Sequence, residues 1–425
     1  MRLVCKPSIL RGSVDIPGSK SHTIRAVAIA SLAEGHSTIR APLVSADTTA
    51  AVRAYAALGA DIQMQPDLWR VCGTGGRPVA TVDQIDVANS GTTLRIAMGS
   101  AALLAEGSVV VTGDHQIQSR PIGPLAQSLN DLGASVTSLR GNGCAPVTVA
   151  GQWHGGHTSI HAASSQYLTS LLINAPLADG ESVIDVPLLN EKPYVYMTLD
   201  WLRREGIELQ REELRWFRIP GGQRYPALDV RVPADFSSAT FFLAAGALGD
   251  NDVLVRGLDL ADTQGDKAVV DYLRQLGARI DLEPQGIRVR PGQLAGCRLD
   301  LNATPDALPM MAVVGCFARG CTELTNVPQA RLKETDRIAV MAAELTRMGA
   351  RISEQPDGLV VEQSDLHAAD VDGHYDHRVV MALAVAGTAI NGPTRIATAE
   401  AVDVTFPTFV SCMTGLGADM CVQDA

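Results

Sequence analysis

No two cysteines of the chain form a Cys-x-x-Cys pair; the eight are scattered from Cys5 to Cys421. That spacing argues against a zinc site, and the thiols are expected to be reduced and mostly buried, as in a cytosolic protein. Long apolar runs are missing too. The run "PMMAVVGCFA" from Pro309 is too short and interrupted to span a bilayer. The opening "MRLVCKPSIL" has no signal-peptide hydrophobic region. There is no excess of basic charge: Lys and Arg number 35 against 46 Asp and Glu, a net charge of −11. A nucleic-acid partner is therefore not expected, and any basic site must be a local island, which suits a small anionic substrate. The composition is that of a globular protein, 46% hydrophobic and 19% charged, and 425 residues are enough for two or three domains.

What is present is a repeat. Six segments, "LAEGHSTIRAP", "LAEGSVVVTGD", "LADGESVIDVP", "ALGDNDVLVRG", "FARGCTELTNV" and "AINGPTRIATA", each read as a helix end, a glycine and a β-rich run. Their glycines, Gly35, Gly107, Gly180, Gly249, Gly320 and Gly392, are 69 to 73 residues apart. A second glycine closes the next helix in every copy: Gly59, Gly133, Gly206, Gly277, Gly349 and Gly417. Glycine after a helix marks a left-handed cap. Twelve such marks in phase predict six copies of one α/β unit of roughly 70 residues. Between the marks, "ADTTAAVRAYAALGADI" from Ala46 and "TDRIAVMAAELTRMGARI" from Thr335 have amphipathic helical spacing. "SSATFFLAAGAL" and "DALPMMAVVGCFA" are apolar on most sides and predict buried helices. Six units exceed one core, so two domains of three copies are expected.

The stretch "VDIPGSKSHTIRAVAIASLAEG" from Val14 puts Lys20, two serines and Arg25 at a helix start. Helix N-termini favour anions, and a lysine and an arginine there would complete a phosphate or carboxylate site. It is not a P-loop, because Ser19 precedes Lys20 where that motif needs glycine. The plain competing reading is a capped helix start.

This stretch and nine others, "NSGTTLR", "GDHQIQSRPI", "SSQYLTSLL", "KPYVYMTL", "DFSSATFFLAAGAL", "PDALP", "RLKETDRI", "DHRVVMALAV" and "TFPTF", resemble the enolpyruvyl transferases in content and order over nearly the whole chain. The likeness is greatest to members acting on shikimate 3-phosphate. It implies an α/β fold of two domains, each of three βαβαββ units, facing across a cleft. The chain would cross near Gly18 and Val232 to Asp235, giving residues 1–18 with 233–425 and residues 19–232. The implied reaction moves the enolpyruvyl group of phosphoenolpyruvate to the 5-hydroxyl of shikimate 3-phosphate and releases phosphate, in the shikimate pathway. No metal or organic cofactor is implied, and a cytoplasmic monomer is expected.

The resemblance also carries roles. Lys20 would lie between the substrates, and Ser21 and Arg25 would take the shikimate carboxylate. Phosphoenolpyruvate would meet Lys20, Asn89, Gly91, Arg120, Gln166, Arg337 and Arg378. Shikimate 3-phosphate would meet Lys20, Ser21, Arg25, Ser164, Ser165, Gln166, Tyr194, Asp306, Gln329 and Lys333. Lys20, Asp306 and Glu334 form the proton-handling set, with Asp306 as base on the 5-hydroxyl. Gly91 leaves room for glyphosate, which in the family occupies the phosphoenolpyruvate site. Each residue has a plainer reading: an N-cap for Ser164 and Asp306, a core side chain for Tyr194, a solvated helix face for the charged run from Arg331.

Three positions depart from the family pattern. Glu191 stands where a serine often binds the substrate's 3-phosphate, Val404 where a lysine often reaches phosphoenolpyruvate, and Gln329 where asparagine is common. A carboxylate at Glu191 would repel that phosphate unless it turns away or pairs. Three alternatives stay open: a transferase acting on a nucleotide sugar, an enolpyruvyl transferase or phosphate-eliminating enzyme on a related shikimate-like acid, and a non-catalytic binding protein. The first is opposed by Ser21 and by the lack of a cysteine near "GDHQIQSRP". The third is opposed by the presence of Lys20, Asp306 and Glu334 together.

Overall fold

A computed structural model describes residues 1–424 of the chain. It divides into two compact units, Met1–Pro17 with Ala234–Ala425, and Gly18–Pro233. Among the described residues the twelve α-helices are, in the inserted unit, α1 Lys20–Leu32, α2 Ala46–Ala57, α3 Gly91–Ala101, α4 Gly123–Asp131, α5 Ser165–Asn174 and α6 Lys192–Arg204. The flanking unit holds α7 Phe236–Gly246, α8 Val269–Leu276, α9 Leu308–Phe317, α10 Arg337–Arg347, α11 His377–Thr388 and α12 Phe409–Gly415.

Six four-stranded sheets share one topology. In the second copy, Gln84–Asp86 runs parallel to Ser108–Thr112, which pairs antiparallel with Val147–Ala150, which in turn pairs antiparallel with Ser135–Ser138. With α3 and α4 between the strands, the copy reads βαβαββ. Three copies borrow a strand from a distant part of the chain. Asp229–Arg231 completes the first by pairing with His36–Arg40, and Arg11–Asp15 completes the fourth by pairing with Asp252–Arg256. Arg2–Lys6 lies between Thr394–Ala397 and Asp419–Gln423 in the sixth. The end of the chain is thereby sealed by its beginning.

The helix-closing glycines all have positive φ, from 73° at Gly206 to 105° at Gly133. Of the strand-opening set, Gly180 does not. Its side is filled by the backbone carbonyl of His154, so bulk, not dihedral angle, calls for glycine there.

In each copy one helix is buried almost all round and the other is amphipathic. All eleven residues of α3 are buried, as are all eleven of α7. Close packing of such helices needs small residues: a Cβ on Gly99 of α3 would lie 2.5 Å from Ser170 Oγ and 2.6 Å from Asn174 Nδ2 of α5. The polar groups between them are satisfied locally, with Ser100 Oγ bonded to Tyr55 and Asn174 at 2.8 Å each and Ser170 Oγ donating to the Arg95 carbonyl at 2.6 Å. Each unit has its own apolar core.

All eight thiols are free, but only Cys5, Cys144 and Cys316 are buried. The expectation of mostly buried cysteines fails because several lie on strands whose other face meets solvent, such as Cys321 and Cys421. Among the described residues no helix is long and apolar enough to cross a membrane.

Candidate active site

In the inserted unit the candidate residues gather where α1, α3 and α5 begin. Bonds within the first two turns tie them together: Arg25 Nη2 donates to Thr169 Oγ1 at 3.3 Å, and Gln166 Nε2 to Thr92 Oγ1 at 3.1 Å. Ser19 holds the N-cap position of α1, but its side chain makes no capping bond, so the stretch is not an ordinary capped start. Lys20 follows, its Nζ 3.3 Å from Asp47 Oδ2, with both side chains largely buried.

Arg25 is 2% exposed. Its Nε donates to Thr198 Oγ1 at 3.0 Å, Nη1 to the Ser21 carbonyl at 3.0 Å, and Nη2 to the Tyr194 carbonyl at 3.1 Å as well as to Thr169. All four acceptors are neutral. Burial lowers the guanidinium to about 10, the Tyr194 phenol working the other way, so Arg25 still carries its charge at neutral pH.

Gly91 opens α3 against two more guanidiniums. A Cβ there would lie 2.5 Å from Arg95 Nη1 and 2.6 Å from Arg120 Nη1. Arg95 is fixed by bonds to the Gly91 and Pro121 carbonyls, 3.0 Å each, and stands 5.9 Å over the Tyr167 ring. Tyr167 donates to the same Pro121 carbonyl at 2.7 Å. Asn89 is held by Asp114 Oδ2 at 2.7 Å and by Gln116. Ser164 does cap α5, accepting from Gln166 N at 3.4 Å. Ser165 donates through both its amide and its hydroxyl to Glu191 Oε2, at 3.1 and 2.7 Å. Glu191 therefore turns into the serine pair and does not reach out to solvent.

The flanking unit collects its candidates where α9, α10 and α11 begin. Arg337, 1% exposed, is the hub. Its Nη1 bonds Asp306 Oδ1 and its Nη2 bonds Glu334 Oε2, each at 2.6 Å, while Nε bonds Asp376 Oδ2 at 2.7 Å. Arg378 Nη2 takes the other Asp306 oxygen at 2.9 Å. Burial alone would lower the Arg337 guanidinium, but Asp376, Glu334 and Asp306 together hold it well above its ordinary value. Gln329 is buried and donates to the Asn302 carbonyl at 2.9 Å. Lys333 ends the short turn Pro328–Leu332 and is partly exposed.

Two plain readings of this region are corrected. Asp306 does not cap a helix: it lies in the turn Pro305–Ala307 ahead of α9, and its carboxylate bridges two arginines. The charged run from Arg331 is not a helix face, because α10 starts only at Arg337 with Asp336 as its cap. Sequence reasoning missed Asp47, Asp376, Thr169 and Thr198, which hold the expected residues in place. Asp376 carried a signal, an Asp just before a helix that caps it by accepting from Arg378 N at 2.9 Å. Its second task, gripping Arg337 from 39 residues away, is visible only in the fold.

A family model for EPSP synthase (3-phosphoshikimate 1-carboxyvinyltransferase) matches residues 4–413. The chain is 51% identical to the 3-phosphoshikimate 1-carboxyvinyltransferase of Acetivibrio thermocellus, with 99% of both chains covered. To the proteins so named in Ruminiclostridium cellulolyticum and Halobacterium salinarum strain R1 it is 48% and 44% identical, covering 98% and 99% of this chain and 99% of each of theirs. An EPSP synthase structure from Acinetobacter baumannii superposes with a TM-score of 0.83 at 26% identity, covering 99% of this chain and all of that one. With a family model matching residues 4–413, a relative at 51% identity and a solved structure at TM-score 0.83, the chain belongs to the EPSP synthase family.

Proposed function

We propose that the protein transfers the enolpyruvyl group of phosphoenolpyruvate to the 5-hydroxyl of shikimate 3-phosphate, releasing phosphate, as a cytoplasmic monomer, and that its two units are the two domains of the enzyme. The observation that carries the reading is Arg25. A buried guanidinium whose acceptors are all neutral has not met its charge requirement, and an incoming carboxylate completes it. Shikimate supplies one carboxylate and phosphoenolpyruvate another.

In this reading the 5-hydroxyl oxygen adds to C2 of phosphoenolpyruvate while a proton is delivered to its methylene carbon. Phosphate then leaves C2, and a proton lost from the methyl group formed in the first step restores the double bond. Asp306 is the base on the hydroxyl. Lys20 and Glu334 complete the proton-handling set, and Lys20 also contacts phosphoenolpyruvate and offsets charge between the two anions. Arg120 binds the phosphoenolpyruvate phosphate, and Gly91, with Asn89 and Gln166, lets the substrate approach the α3 start. Arg337 and Arg378 take the phosphoenolpyruvate carboxylate; because Asp306 bridges both, binding there is coupled to the position of the base. Ser21 accompanies Arg25 on the shikimate carboxylate. Ser164, Ser165 and Gln166 take the 3-phosphate, while Tyr194, Gln329 and Lys333 line the ring.

The test is direct. Purified protein given both substrates, with a chelator present, is expected to release phosphate and form the enolpyruvyl ether, followed by phosphate assay and proton NMR. Phosphate release only with a nucleotide sugar as acceptor, or none at all, overturns the assignment.

A further inference from the structure

Glu191 is 2% exposed, yet it is not buried by accident of packing. A single oxygen, Oε2, accepts both the amide and the hydroxyl of Ser165, the first residue of α5. A carboxylate in that place has the favourable end of the helix dipole and two charge-assisted hydrogen bonds. Its backbone is left-handed, with φ 56° and ψ 41°, a conformation costly for a residue with a Cβ and held only when something else fixes it. The donors engaged by Glu191 are also those assigned above to the substrate's 3-phosphate, so this inference rests on that assignment.

One N–H and one O–H hydrogen cannot serve two anions, and a phosphate beside a buried carboxylate is repelled. We propose that Glu191 is a built-in stand-in for the substrate's phosphate: its carboxylate holds Ser165 in the unliganded protein and is displaced when shikimate 3-phosphate binds. Glu191 is then a specificity-determining residue that sets the affinity for the phosphorylated substrate. It keeps the serine donors organised and satisfied between turnovers, at the cost of a competing anion at each binding event. The opposite arrangement, in which Glu191 stays in place and merely positions Ser165, makes the contrary prediction for its removal.

The experiment measures binding of shikimate 3-phosphate and of unphosphorylated shikimate to the wild type, Glu191→Gln and Glu191→Ser. Loss of the competing carboxylate is expected to lower Kd for shikimate 3-phosphate about tenfold, the scale of one charge-assisted hydrogen bond no longer contested. Shikimate, which lacks the phosphate, should bind all three proteins alike, and KM for phosphoenolpyruvate serves as the internal reference. A Kd for shikimate 3-phosphate that is unchanged or higher in both variants overturns the proposal. If neither variant folds, a crystal structure of the wild type with shikimate 3-phosphate decides: Glu191 still bonded to Ser165 N refutes the exchange, and a carboxylate turned away supports it. Wild-type protein that releases no phosphate from the substrate pair would instead count against the assigned function, a separate outcome.

Discussion

Gly91→Ala adds one methyl group at the start of α3, and the structure says what that methyl meets. The new Cβ would lie 2.5 Å from Arg95 Nη1, 2.6 Å from Arg120 Nη1 and 2.7 Å from Arg120 Cζ. Carbon contacts settle near 3.5–4.0 Å, so both guanidiniums must retreat by about 1 Å. Both are ends of flexible side chains, so the fold accommodates the change, and replacing glycine by alanine within a helix favours stability by about 0.5–1 kcal/mol. The site is less tolerant. A misplacement of about 1 Å in a binding group costs on the order of 100-fold where orientation matters. The expected result is an unchanged or slightly raised melting temperature, with KM for phosphoenolpyruvate raised at least about tenfold. If glyphosate occupies the phosphoenolpyruvate site, as the family resemblance implies, it should lose more, its inhibition constant rising by a larger factor than KM. The assay is initial rate against phosphoenolpyruvate at several glyphosate concentrations. KM within about twofold of wild type would show that Arg120 is not held where phosphoenolpyruvate needs it, and would refute the reasoning.

Other substitutions test other parts of the site. Lys20→Met is expected to lower kcat by at least about 100-fold, the scale of losing a positioned proton-transfer or electrostatic group; a near-normal single-turnover rate would remove Lys20 from the chemistry. Asp376→Asn keeps the helix cap but takes a charge from the buried Arg337, and should destabilise the protein by about 3 kcal/mol in urea unfolding, with Asp306 and Glu334 limiting the loss. Arg25→Gln should weaken shikimate and shikimate 3-phosphate equally, on the order of 100-fold by titration calorimetry, because a shared carboxylate contact is removed; a loss confined to the phosphorylated ligand would place Arg25 on the wrong group.

Much of the architecture was legible in the sequence because its cause is local and repeated. A glycine with positive φ closes the amphipathic helix of every copy, and six such marks at constant spacing cannot be produced by one accidental turn. The buried helices were equally plain, since "SSATFFLAAGAL" has no polar face to offer water. What could not be read were the exchanges between distant segments. Nothing local in "RGSVD" says that it pairs with Asp252–Arg256, or in "DVR" that it completes the first sheet.

The site divides along the same line. Cations at a helix start suggest an anion site, so Lys20 and Arg25 stand out from the residues alone, whereas the roles expected of Gly91 and Arg120 come from the family resemblance. The side chains that hold them could not be named in advance. Thr169 and Thr198 look like ordinary helix residues, and they matter only because the fold brings both onto one guanidinium. Charge balance was hidden for the same reason. Arg337 and Arg378 are the cations expected for a carboxylate, but Arg337 already bonds Asp306, Glu334 and Asp376, and Arg378 shares Asp306. For the proposed function this bears on how substrate would be captured in the flanking unit. A bare cluster of cations would bind an anion by attraction alone. If these arginines take the phosphoenolpyruvate carboxylate as proposed, they must exchange one anion for another, and affinity would then depend on how loosely Asp306 and Glu334 are held. Those are the residues assigned to proton transfer, and their release from arginine as substrate arrives is what would free a carboxylate oxygen to take a proton.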